Sequence, residues 1–88
     1  MWKLISFVKR GKVRRDVLTF LSAGPATPTD VAKKTKYHRP SVSRVLIELQ
    51  KKGLVDCLTP DEKLGRIYAI SKKGREILEK LDKLTNSK

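Results

Sequence analysis

Past Gly53 the apolar residues of this chain change their spacing, and that change limits the architectures open to it. Upstream they recur every three or four residues, as on one face of a helix. Downstream come two short runs rich in β-formers, LVDCL and RIYAI, separated by TPDEKLG, before helical spacing returns in KKGREILEKLDKL. A chain of 88 residues buries only about 60–65% of its unfolded surface, so it has room for one small core to which every segment must contribute.

The helical segments are bounded by local chemistry. In KVRRDVLTFLSAG, Val13, Val17, Phe20 and Leu21 form an apolar stripe that Gly24 and Pro25 end. Thr27 is a natural N-cap, Pro28 suits the first helical position and Asp30 favours the helix dipole, so a short helix over residues 28–35 follows, with Val31 and Ala32 as its buried side. A turn at KYH leads to a third helix with Val42, Val45, Leu46 and Leu49 inward, closing at Lys51, Lys52 and Gly53. Pro40 is tolerated only in a first turn, which sets the start at His38 or Arg39. The two extended runs then form a hairpin with a charged tip. Because a lone hairpin is marginal in water, Leu54, Tyr68 and Ile70 must rest on the helices. Ser71 caps the last helix, with Ile77, Leu78, Leu81 and Leu84 as its stripe and Gly74 as a mild weakness near its start. Residues 1–10 read as an N-terminal extension, an arm or an extra helical turn, with Trp2, Ile5 and Val8 on one side. Residues 11–84 form the domain, and 85–88 are expected to fray.

Charge narrows the function classes. The net charge is +12, and residues 1–52 carry +10 of it, with 13 Lys and Arg against 3 Asp and Glu. Solubility alone would place matched acids beside the bases, whereas an unbalanced basic half suits a polyanion such as nucleic acid. One Cys, Cys57, and one His, His38, provide neither a disulfide framework nor a zinc constellation. There is no Gly-rich phosphate loop, no nucleophile paired with a base and no carboxylate cluster, so no enzyme, cofactor or metal site is expected. The apolar run in MWKLISFVKR is interrupted by Lys3 and ends at Lys9, too short for a signal core or a membrane span. It reads as a mature N-terminus of a cytoplasmic protein.

Helix, helix, turn, helix, hairpin, helix is an α+β, mainly helical order, and TPTDVAKKTKYHRPSVSRVLIELQKKGLVD, TPDEKLGRIYAIS and KKGREILEKL resemble, over residues 11–84, the winged helix-turn-helix transcription regulators, especially archaeal relatives of the MarR and ArsR groups. The resemblance implies a DNA-binding protein, often a homodimer, with its recognition helix at about 39–52 in the major groove. Its wing, at about 59–66, would lie on the backbone or in the minor groove of double-stranded DNA.

The exposed start of that helix offers Arg39, Ser41, Ser43, Arg44, His38 and Pro40 as base readers. Arg39 and Arg44 suit either a guanine edge or a phosphate, the serines either close approach or capping, and His38 either a weak cap, a phosphate contact or base reading. Tyr37 reads as an anchor of the turn. Phosphate contacts are expected from Thr27, Thr29, Lys33, Lys34 and Lys36 at the second helix and from Lys63 and Arg66 in the wing, where Asp61 and Glu62 oppose deep insertion. The run Lys9, Arg10, Lys12, Arg14 and Arg15 reads equally as a phosphate patch or a solvated helix face. Pairing of two copies through the N-terminal segment and the C-terminal helix is expected, unless both stripes complete the core of one copy. Two other classes remain open: a winged-helix interaction subunit of transcription or replication machinery, and a nonspecific chromatin-type DNA or RNA binder.

Overall fold

A computed structural model describes residues 2–62 and 65–86, with side chains through Lys83. Five helices and a two-stranded antiparallel hairpin follow one another as α1 (Trp2–Arg10), α2 (Lys12–Leu21), α3 (Pro28–Thr35), α4 (Arg39–Lys51), β1 (Val55–Cys57), β2 (Tyr68–Ile70) and α5 (Lys72–Asn86). This is a winged helix-turn-helix. Residues 2–10, expected as an extension, an arm or an extra helical turn, form a helix whose Ile5 and Val8 lie in the core. Helix α5 runs through Asn86, two residues into the stretch expected to fray.

The stripe of α4 is placed as its spacing requires, with Val42, Val45, Leu46 and Leu49 all buried. In α2 the buried side is Val17, Leu18 and Leu21, while Val13 and Phe20 are only partly covered. Helix α2 has α1, α3, α4 and α5 around it, so its buried sector is wider than one stripe and takes in Leu18, which the spacing alone did not mark. Ile77, Leu78 and Leu81 of α5 are buried in the same core. Each fully buried Leu or Ile contributes about 1.5–3 kcal/mol relative to an exposed one, which is why none of these positions is polar.

The hairpin is shorter than the two apolar runs, pairing Val55 with Ile70, Asp56 with Ala69 and Cys57 with Tyr68. Leu54, Tyr68 and Ile70 rest on the helices as expected, and Val55 joins them. On its far side Tyr68 exchanges both backbone hydrogen bonds with Ala26, at 3.0 and 2.9 Å. The loop between α2 and α3 is thereby fastened to the wing.

Gly74 has a positive use. A Cβ there would overlap the Leu54 carbonyl and approach Ile70 Cγ1 to 2.8 Å, so only glycine lets α5 lie this close to the base of the hairpin. The same junction is closed by Ser71, whose Oγ donates to the Gly53 carbonyl at 2.7 Å and accepts from the Gly74 N–H at 3.0 Å.

Candidate nucleic-acid interface

The approach to α4 is held by backbone and side chain together. Lys36 ends α3 in the left-handed conformation, with φ 65°, and its N–H donates to the Ala32 carbonyl. Two residues later His38 takes the N-cap position of α4 with extended dihedrals, but its side chain makes no capping hydrogen bond and is exposed. Between them the half-buried Tyr37 donates its hydroxyl to Asp16 Oδ2 at 2.5 Å, tying the turn to α2. That hydrogen bond, with burial and the Asp16 charge acting in the same direction, raises the Tyr37 hydroxyl above its ordinary pKa. The expected anchoring role of Tyr37 thus has a partner that sequence spacing did not reveal, 21 residues away.

From this entrance the first turns of α4 expose Arg39, Pro40, Ser41 and Arg44, with Ser43 partly covered. Arg39, Ser43 and Ile47 follow one another at four-residue steps, so they share a line along the helix. That line forms one wall of a surface groove of about 250 Å³, whose other walls are Pro28 and Thr29 from α3 and Gly65, Arg66 and Tyr68 from the wing. The fold therefore brings Thr29, Arg39, Ser43 and Arg66 to one concavity from three separate elements. His38, Pro40, Ser41 and Arg44 lie on the helix outside its lining. Lys33 and Lys34 border a different hollow, with Phe20, Gly24 and Asp30, and Lys36 is exposed at the end of α3. Lys63 lies outside the described residues.

Two of the expected anion contacts are already engaged. Thr27 Oγ1 accepts from the Asp30 N–H at 3.1 Å while Asp30 Oδ2 accepts from the Thr27 N–H, a reciprocal capping box. The Val31 N–H donates to the Thr27 carbonyl and Pro28 has no N–H, so the hydroxyl of Thr27 serves the helix start and the neighbouring Thr29 is the threonine that faces the groove. In the wing, Arg66 Nε donates to the Glu62 carbonyl at 2.6 Å, which fixes the base of its guanidinium beside the groove and leaves the side chain exposed.

Part of the upstream basic run is likewise structural. Arg14 donates to the Phe7 carbonyl at 2.8 Å, lies 3.9 Å over the Phe7 ring and sits 3.5 Å from Glu48, joining α1, α2 and α4. Arg15 approaches Asp82 of α5 at 3.9 Å. The pairing stripe expected on the terminal helices is also used inside one copy: Ile5, Val8, Ile77, Leu78 and Leu81 are buried, whereas Trp2 is 69% exposed. These residues complete the core because α1 and α5 lie against each other and against α2. The side chain of Leu84 lies outside the description.

The MarR family model matches residues 11–67, from the residue that precedes α2 to the last residue before β2. The chain belongs to the MarR family. Among solved structures, a cysteine-to-serine mutant of E. coli MarR complexed with operator DNA superposes with a TM-score of 0.78 at 25% identity, over 93% of this chain and 60% of that one. The reduced form of E. coli MarR gives 0.78 at 25% identity, over 97% and 64%. The regulator BldR from Sulfolobus solfataricus shares the fold, with a TM-score of 0.73 at 20% identity over 83% and 53%. This chain therefore spans between half and two thirds of the length of these three proteins. No curated protein matches its sequence. Among the described residues no three His, Cys, Asp or Glu side chains are grouped to hold a metal ion, and no helix is long and apolar enough to cross a membrane.

Sequence reasoning passed over Ile47. It is 47% exposed although it is large and apolar. The available signal was its position off the inward stripe, three residues after Arg44 and four after Ser43.

Proposed function

We propose that this protein is a DNA-binding transcriptional regulator that lays α4 in the major groove and its wing along the backbone or in the adjacent minor groove. The observation that carries this reading is the groove in which Thr29, Arg39, Ser43 and Arg66 converge beside the exposed start of α4, on a chain of charge +12. Arg66 and the start of α3 hold phosphate and set the register. Arg39, Ser43 and Arg44, with His38, Pro40 and Ser41 around them, face base edges, Arg39 and Arg44 having the bidentate donor geometry that suits guanine. MarR itself is described as complexed with operator DNA, which supports the same role for this relative.

A single domain of this size reads few base pairs, and two copies related by a two-fold axis would read half-sites about one helical turn apart. The homodimer reading rests on family likeness. Because the inward residues of α1 and α5 are already covered, the surface left for pairing is the outer side of those helices, with Trp2 on it. A cytoplasmic setting suits such a regulator. The archaeal placement rests on the resemblance of the motifs, and BldR is a fold relative from such an organism.

Selection of bound duplexes from a random pool tests the reading. Enrichment of a two-fold symmetric consensus is expected. Failure to retain any duplex at low salt would remove the DNA-binding assignment, and retention without a consensus would replace it with nonspecific binding.

A further inference from the structure

We infer that Ile47 is a specificity-determining residue whose side chain takes up the 5-methyl group of a thymine in the major groove. The inference rests on the DNA-binding reading above and adds to it a base identity that the arginines and serines do not supply.

Three observations converge on this side chain. Ile47 is nearly half exposed, on a helix whose other four large aliphatic side chains, Val42, Val45, Leu46 and Leu49, are buried. At 100° per residue it also lies on the side of α4 opposite that buried stripe, on the outward ridge Pro40, Arg44, Ile47, while belonging at the same time to the groove-lining row Arg39, Ser43, Ile47. It is the residue common to both lines, next to Ser43 and Arg44 on the helix surface. Finally, Ile47 is the one aliphatic side chain among the α4 residues that line the groove, beside Arg39 and Ser43 and facing Pro28 and Thr29 of α3 and Gly65, Arg66 and Tyr68 of the wing. A β-branched side chain there gains nothing for the helix, since its χ1 is restricted and its apolar surface stays wet in the free protein.

The chemistry of the major groove identifies what such a side chain can meet. Every base edge there presents hydrogen-bond donors or acceptors, and thymine alone adds a methyl group, which is read by apolar contact. An aliphatic side chain flanked by Arg44 and Ser43 pairs a methyl reader with hydrogen-bonding readers on one helix face. Ile47 lies about two turns after Arg39, so the thymine falls at the end of the bases that α4 covers farthest from those within reach of Arg39.

Thymine-to-deoxyuridine exchange removes that methyl and nothing else. The probe is the consensus duplex recovered from the random pool, together with copies in which each thymine in turn is replaced by deoxyuridine. Affinities are measured by fluorescence anisotropy for the wild-type protein, Ile47→Ala and Ile47→Val. At one thymine per half-site the wild-type protein is expected to lose about fourfold in affinity, the equivalent of one methyl group leaving a buried contact. Ile47→Ala binds the thymine and deoxyuridine duplexes equally, and Ile47→Val keeps most of the discrimination. Because Ile47 is exposed, both variants are expected to keep the wild-type melting temperature, which separates a lost contact from a lost fold. If each exchange costs the same factor in all three proteins, or if the consensus lacks thymine in that part of the half-site, Ile47 does not read a methyl group while DNA binding stands. If no duplex is retained at low salt, the DNA-binding reading fails and this inference fails with it.

Discussion

Replacing Gly74 by alanine sets local helix propensity against packing. Gly74 is in the first turn of α5, where exchange of glycine for alanine contributes up to about 1 kcal/mol to helix stability through propensity. The site itself opposes the exchange. The added Cβ would overlap the Leu54 carbonyl oxygen, a backbone atom that cannot rotate aside, and would approach Ile70 Cγ1 to 2.8 Å. Relief requires α5 to shift away from the hairpin, which strains the Ser71 N–H bond to the Leu54 carbonyl at 2.9 Å and the Ser71 hydroxyl bond to Gly53 at 2.7 Å. Overpacking of a rigid site costs about 1–3 kcal/mol, and the upper end applies where the obstacle is backbone. Less the propensity gain, a net loss of about 2 kcal/mol remains, which for a domain of this size lowers Tm by roughly 8–16 °C. Thermal unfolding followed by circular dichroism, both proteins at one concentration, measures it. A Tm equal to or above the wild type would refute the close approach of α5 to Leu54 and the explanation of Gly74 that depends on it.

Three further outcomes follow from individual contacts. Tyr37→Phe removes the hydroxyl bonded to Asp16. The folded protein holds this hydroxyl above its ordinary value of 10.0, so the stability it lends is complete below that pH and is lost as pH rises through the folded value. An alkaline absorbance titration should show a late tyrosine step in the wild type that Tyr37→Phe lacks. Arg14→Ala loses the Phe7 carbonyl bond, the stacking on the Phe7 ring and the pairing with Glu48. It should lower stability by about 1–2 kcal/mol in urea unfolding while leaving DNA affinity near wild type. Thr27→Ala breaks the capping box of α3 and should cost about 1 kcal/mol by the same measurement, whereas exposed Thr29→Ala should spare stability and weaken DNA binding.

The order of elements from α2 to α5, the α4 stripe and the α3 boundaries were legible because each rests on local rules: period, cap and turn chemistry. Val42, Val45, Leu46 and Leu49 are spaced for one face, and Thr27, Pro28 and Asp30 mark a helix start whatever lies around it. What escaped depends on elements distant in sequence. Leu18 is buried because α2 has neighbours on several sides, Ala26 pairs with Tyr68 across more than forty residues, and Tyr37 finds Asp16 on another helix. Gly74 read as a defect since a glycine within a helix looks costly until the Leu54 carbonyl is seen beside it. For the interface, residue types were readable and their grouping was not. Thr29, Arg39, Ser43 and Arg66 meet in one groove, Lys33 and Lys34 turn to another surface, and the Thr27 hydroxyl is spent on its own helix. The stripes of α1 and α5 could not be divided between core and pairing surface by periodicity, because both uses need the same apolar spacing.

On the function proposed above, the groove between α3, α4 and the wing is the surface that meets DNA. The salt dependence of binding to the selected duplex tests it most directly, measured for the wild type, for the Arg39→Ala and Arg66→Ala double variant, and for Arg14→Ala. Each phosphate contact contributes about 0.9 to the slope of log affinity against log salt. With both groove arginines on phosphate, the double variant should flatten that slope by about 2 for each bound protomer, and by about 1 if Arg39 is on a base edge, while Arg14→Ala leaves it unchanged. An unchanged slope in the double variant, or a flattening produced by Arg14→Ala instead, would contradict the assignment and move the DNA-binding surface away from the groove.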